Sequence, residues 1–118
     1  MSIVKTRMER RIKRARKKIF GTAERPRMAF KKSLKYLYAQ AIDDTAGKSL
    51  GIFTTASSDF KDLKSRKNVA AAVRLGEYAG KKLSDKKIAR IVFDRRGRRY
   101  HGVVKSFAEA LRKTGLAF

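Results

Sequence analysis

Cysteine is missing from this chain, which excludes disulfides, thiolate metal sites and a cysteine nucleophile at once. Long apolar runs are missing too. With no run near a membrane-spanning length, and with positive charge not confined to one amphipathic helix, neither a bilayer span nor a membrane-surface helix accounts for the pattern. The N-terminus has the charge of a secretory n-region but no apolar h-region follows, so the expectation is a mature, cytoplasmic chain. Histidine occurs once, at His101, with no Ser/His/Asp spacing to make it a catalytic base. Acids are scarce: ten Asp and Glu stand against 32 Lys and Arg, a formal net charge of +22. Such a surface repels itself unless dense negative charge lies against it. A nucleic-acid backbone supplies about one charge per 1.7 Å of duplex.

What is present suffices for one folded domain. The 118 residues are 42% hydrophobic, close to the globular average, so a core can form even though the charged fraction, 36%, exceeds the usual quarter. The division expected is a basic arm, residues 1–20, and a single α/β domain, residues 21–118. The arm holds nine basic residues from Lys5 to Lys18, among them Arg7, Arg10, Arg11, Arg14, Arg16, Lys17 and Lys18, against one acid, Glu9. Between them Val4, Met8, Ile12, Ala15 and Ile19 recur at helical spacing, and Gly21 offers a stop. Self-repulsion opposes a helix with so thin an apolar stripe, so the arm is expected to be helical when bound to RNA. The bland alternative is a solvated charged face packed on its own domain.

The folded domain is expected to open at Arg25-Pro26-Arg27. Three strand-like runs follow, Met28–Lys31, Tyr36–Ile42 and Leu50–Thr55, the middle one apolar on both faces and therefore an inner strand. Asp43-Asp44-Thr45-Ala46-Gly47 reads as a hairpin turn with Gly47 at positive φ. Between Arg66 and Leu83, Val69, Ala72, Val73, Gly76, Gly80 and Leu83 fall on one helix face whose small residues would allow close approach to a sheet. Ile88–Phe93 reads as a buried strand, and Val104, Phe107, Ala108 and Leu111 as a second helix face ended by Gly115. A three-strand meander followed by a strand-helix-strand crossover predicts a mixed sheet of about four strands with helices packed on it.

Two clusters outside the arm carry the chemistry of RNA contact. Asp94-Arg95-Arg96-Gly97-Arg98-Arg99-Tyr100-His101-Gly102 follows the last strand and leads into a helix, a frequent ligand position in α/β sheets. Arg95, Arg96, Arg98 and Arg99 can grip phosphates, while Tyr100 and His101 can stack on unpaired bases. A solvated turn with Tyr100 capping the core would look the same. The second cluster, Lys31, Lys32, Ser33, Lys35, Tyr36 and Tyr38, interleaves basic and aromatic residues as phosphate-and-base contact requires. Tyr36, Tyr38 and Gln40 share one strand face and Leu37, Ala39 and Ala41 the other, and the sheet needs at least one face buried. Arg25 and Arg27 join the candidate set as cations between arm and sheet. Against these readings stands a metal-dependent nuclease, because Asp43, Asp44 and Asp94 sit at strand ends where carboxylates can hold Mg²⁺. The turn reading of Asp43-Asp44 and the absence of a supporting motif argue for a non-enzymatic chain with no cofactor, no metal and no small-molecule substrate. A DNA-binding reading finds no zinc spacing, basic zipper or clear helix-turn-helix.

Several separated motifs, in order, also resemble a known family. They are the basic arm, Gly21-Thr22-Ala23-Glu24-Arg25-Pro26-Arg27, Tyr38-Ala39-Gln40-Ala41-Ile42-Asp43-Asp44, Val92-Phe93-Asp94-Arg95, Tyr100-His101-Gly102, Val104-Lys105 and Gly115-Leu116-Ala117-Phe118. Together they resemble the bacterial large-subunit ribosomal protein family that binds 5S ribosomal RNA, eighteenth in the large-subunit series. Departures from its usual pattern fall at Leu34, Tyr36, Arg96, Arg98 and Val103, and the charge added at Arg96 and Arg98 favours phosphate contact. The resemblance implies a ribonuclease H-like motif without its catalytic carboxylates. It also implies a structural role joining 5S to 23S ribosomal RNA in the central protuberance, with the fifth large-subunit protein and other central-protuberance proteins as neighbours.

Overall fold

Alternation of apolar and polar side chains drives the first half of the chain into a meander. In the computed structural model, which describes residues 7, 9, 10, 19–96, 100 and 102–118, β1 (Arg27–Lys32), β2 (Leu37–Asp43) and β3 (Lys48–Thr54) pair antiparallel in sequence. β2 alternates strictly: Leu37, Ala39, Ala41 and Asp43 are buried, and Tyr38, Gln40 and Ile42 are partly exposed. The face with Leu37, Ala39 and Ala41 therefore lies in the core, and Tyr38 stands on the other. β1 is buried from Arg27 to Phe30 without alternation, because both of its faces are covered. Met28 and Phe30 enter the core, whereas Arg27 lies under Gly21 on the opposite face, the face that Ala29 shares. Gly47 takes φ +62° in the β2–β3 turn, as expected.

After β3, Thr55 turns the chain while buried. Its hydroxyl accepts from Leu37 N–H at 2.9 Å and donates to Arg66 C=O at 2.5 Å, which satisfies both polar functions of the group. A single 3₁₀ turn, Ser58–Phe60, buries Phe60. Asn68 then caps α1 (Val69–Asp85), accepting from Ala71 N–H at 2.9 Å. The helix begins three residues later than the periodicity predicts, since the cap and not the apolar stripe sets its start. Val69 is consequently exposed at the first position, and Ala71, Leu75 and Ala79 join Ala72, Gly76, Gly80 and Leu83 on the buried face.

The glycines of α1 meet the second helix, α2 (Gly102–Lys113), and not the sheet as expected. A Cβ on Gly76 would lie 2.6 Å from Ala110 Cβ and 2.8 Å from Phe107 C=O, and one on Gly80 would lie 2.1 Å from Thr114 Oγ1. The two helices pack side by side on one face of the sheet, where the Phe30 and Phe107 rings stack with centroids 4.6 Å apart. The expected strand Ile88–Phe93 divides. Ala89–Ile91 bond to Ala117 of the C-terminal tail, and β4 (Val92–Asp94) alone joins the sheet, parallel to β1. Strand order is β3-β2-β1-β4, the mixed α/β sheet predicted from the sequence. No helix among the described residues is long and apolar enough to cross a membrane.

Candidate nucleic-acid interface

Topology starts the second cationic cluster toward the same end of the sheet as the first. β4 runs parallel to β1 with Ala29 beside Asp94, so residues 95 and 96 leave the sheet at the end where β1 turns through Ser33–Tyr36 into β2. That turn is tight: Ser33 N–H donates to Tyr36 C=O at 2.9 Å, and Tyr36 N–H donates back to Ser33 Oγ at 3.1 Å. Ser33 is thus a turn residue first. Lys31, Lys35 and Leu34 are exposed around it, and Lys32 is partly exposed. Tyr36 packs its ring under Arg66, whose guanidinium lies 5.7 Å from the centroid, and Tyr38 is half-exposed on the open face of the sheet between Lys31 and Thr54.

In the loop after β4, Arg95 and Arg96 are exposed. Arg96 adopts φ +55°, a left-handed conformation costly for a residue with a Cβ, and its N–H donates to Asp94 Oδ1 at 2.9 Å. Arg98, Arg99 and His101 lie outside the described residues. Tyr100 is 38% exposed, and its hydroxyl accepts from Arg112 Nη1 at 3.1 Å. Arg112 in turn sits 4.5 Å from the centroid of the Phe118 ring. Arg66 and Arg112 were missed by sequence reasoning, because the tyrosines they contact, Tyr36 and Tyr100, lie 30 and 12 residues away. In the arm, Arg7, Glu9 and Arg10 are helical and exposed, while Arg11, Arg14, Arg16, Lys17 and Lys18 lie outside the described residues, with most of the predicted apolar stripe.

Arg25 is exposed at a turn closed by Thr22. Arg27 must leave the candidate set. It is 5% exposed, and its guanidinium is occupied by Asp44, through Nε at 2.9 Å and Nη2 at 3.1 Å, and by Asp94, through Nη1 at 2.9 Å. The hydrogen bonds it donates to Asp44 raise its pKa above the ordinary arginine value; burial opposes this, and Asp94 reinforces it. Asp44 and Asp94 were the carboxylates of the rival Mg²⁺ reading, and both are turned to this arginine. Asp43 accepts from Thr45 N–H and Thr45 Oγ1 at 3.0 and 2.5 Å, the turn it was read as. Among the described residues no three acids or histidines converge to hold a metal ion.

Comparison with known proteins shows the family. A family model described as ribosomal L18 of archaea, bacteria, mitochondria and chloroplasts matches residues 3–118. The large ribosomal subunit protein uL18 of Dictyoglomus turgidum is 49% identical over the full length of both chains. The uL18 proteins of Brachyspira hyodysenteriae and Pelobacter propionicus are 47% and 46% identical, covering 98% and 96% of this chain and 95% and 93% of their own. With a family match across nearly its whole length and relatives of nearly the same length, this chain belongs to the L18 family of ribosomal proteins.

Proposed function

We propose that this chain binds 5S ribosomal RNA and helps attach it to 23S ribosomal RNA in the central protuberance, beside the fifth large-subunit protein. The coarser role follows from family membership: the chain is a non-enzymatic, structural constituent of the large ribosomal subunit. The observation that supports the finer reading is the shared sheet end, toward which residues 95 and 96 leave β4 and at which the Lys31–Tyr38 hairpin turns. In this reading Lys31, Lys32, Lys35, Arg95, Arg96, Arg98 and Arg99 supply phosphate contacts. Tyr36, Tyr38, Tyr100 and His101 supply rings for unpaired bases. The arm, from Arg7 and Arg10 through Arg11, Arg14, Arg16, Lys17 and Lys18, adds charge that reads phosphate but not sequence.

Filter binding to 5S ribosomal RNA and to a shuffled RNA, titrated across ionic strength, tests the reading. Affinity should fall steeply with salt, each neutralised phosphate adding roughly 0.7 to 0.9 to the log-log slope, and 5S RNA should be preferred at every salt concentration. Equal affinity for the two RNAs would refute it.

A further inference from the structure

The buried arginine links the two ends of the RNA-binding apparatus. Gly21, where the arm meets the domain, donates its N–H to Asp44 Oδ2 at 2.8 Å and accepts from Asp44 N–H at 2.9 Å. Asp44 accepts from Arg27 Nε at 2.9 Å, Arg27 Nη1 donates to Asp94 Oδ2 at 2.9 Å, and Asp94 Oδ1 accepts from Arg96 N–H at 2.9 Å. One unbroken chain of charge-assisted hydrogen bonds therefore runs from the root of the arm to the root of the cationic loop. It crosses the sheet face opposite the helices. Both ends are sterically defined as well. A Cβ at Gly21 would lie 2.4 Å from Arg27 N and 2.5 Å from Ile42 C=O, so the arm root is seated directly on β1 and β2. At the other end, Arg96 is held in its left-handed conformation by the Asp94 bond.

Stability alone does not call for such an arrangement. Replacing a buried ionic group by well-packed apolar side chains is often neutral or favourable, and the best-attested advantage of the ionic form is a fixed geometry. The geometry fixed here is the position of the arm root at Gly21 relative to the loop root at Arg96.

We propose that Arg27, with Asp44 and Asp94, is a positioning device that fixes the root of the arm at Gly21 relative to the root of the loop at Arg96, so that arm and loop engage a single RNA together. This rests on the RNA-binding reading above. When two contact elements are rigidly placed, the second contact forms at high effective concentration, and loosening the link removes that advantage without removing any contact.

The test uses full-length protein and 5S ribosomal RNA against a shuffled control. Asp44→Asn weakens the link at the arm root but leaves the Arg27–Asp94 pair. Gly21→Ala disturbs the seat while keeping every charge. Asp43→Asn, confined to the neighbouring turn, is the control. Each is made in the wild-type background and in one where Arg10, Arg11 and Arg14 are Ala, and folding is verified by cooperative thermal unfolding before titration. Asp44→Asn and Gly21→Ala are expected to lower 5S affinity about tenfold in the wild-type background and less than about twofold in the arm-neutralised one, with affinity for shuffled RNA nearly unchanged. Asp43→Asn should have little effect in either. A loss of equal size in both backgrounds or on both RNAs, no loss at all, or failure of both variants to fold would assign the triad a purely structural role and overturn the proposal. Absence of 5S preference in the wild type would instead overturn the parent reading and this one with it.

Discussion

Arg27 and Arg74 both grip carboxylates, but one pairing is buried and the other stands in water. Arg74 donates to both oxygens of Asp62 at 2.8 and 2.7 Å, with both side chains well exposed. Those bonds hold the Asp62 carboxyl below the ordinary aspartate range. A depressed folded pKa means the contribution is present above the unfolded value and is lost as pH falls through the folded one. Solvent screens an exposed pair, so Arg74→Met should shift the thermal midpoint slightly at neutral pH and not at all at strongly acidic pH. A large shift that persisted in acid would show that Arg74 acts through contacts that do not titrate, its hydrogen bond to Asp59 C=O at 2.7 Å and its packing on Phe60, 5.4 Å from its guanidinium. Arg27 is the opposite case. Its folded pKa is raised, so its contribution is present below the unfolded value and is lost only in strong alkali. Arg27→Met leaves two acids near the sheet without their cation and should destabilise by about 3 kcal/mol in urea unfolding. In sequence, Arg25 and Arg27 are indistinguishable cations beside a proline. What separates them is that Arg27 falls inside β1 on the face the arm root covers, with partners 17 and 67 residues away that no local pattern connects. Gly76 makes a similar point. Helix propensity predicts that Gly76→Ala stabilises by about 1 kcal/mol, while the contact 2.6 Å from Ala110 predicts overpacking of about 1 to 3 kcal/mol. Net destabilisation, read from the urea midpoint, is expected; a stabilised variant would mean the helices can part without cost.

Elements were legible where periodicity and punctuation agreed. β2, the turn at Gly47 and the second helix ending at Gly115 fall close to where the pattern put them. Agreement weakened where tertiary partners set the boundary. β4 is three residues long because Ala89–Ile91 bond to a tail more than 25 residues away, and α1 starts at its Asn68 cap. That the hairpin and the loop root share a sheet end was not legible at all, since it follows from the parallel pairing of β1 with β4. Two element-level variants follow. Deleting residues 1–20 spares Gly21 and every buried residue of the core cluster, so the remaining 98 residues should unfold cooperatively. RNA affinity should drop, more for 5S than for shuffled RNA because the placed arm adds its advantage only to the former. The salt slope should shrink, and the part of the 5S preference carried by the loop should survive. Replacing Arg95, Arg99 and Tyr100 with Ala should do the reverse, keeping much of the nonspecific binding while erasing the preference. Deletion that abolished selectivity, beside a loop variant that kept it, would mean the two roles are interchanged.

For the whole molecule, charge decides the class of partner and the fold decides how it is met. The net charge of +22 carries no information about which RNA is bound; it ensures only that binding is strong and salt-dependent. Several acids are already engaged within the fold, Asp44 and Asp94 by Arg27 and Asp62 by Arg74, which leaves the exposed cations of the sheet end facing outward. On the proposed function, selectivity comes from the rings and forks at that end. The most direct measurement is therefore competition between 5S ribosomal RNA and a shuffled RNA of the same length for the full chain, at low and high salt. As salt rises, both affinities should fall along steep log-log lines while the preference for 5S RNA persists. A preference that vanished at high salt together with the affinity would contradict the account, because binding would then be charge attraction with no placed site behind it.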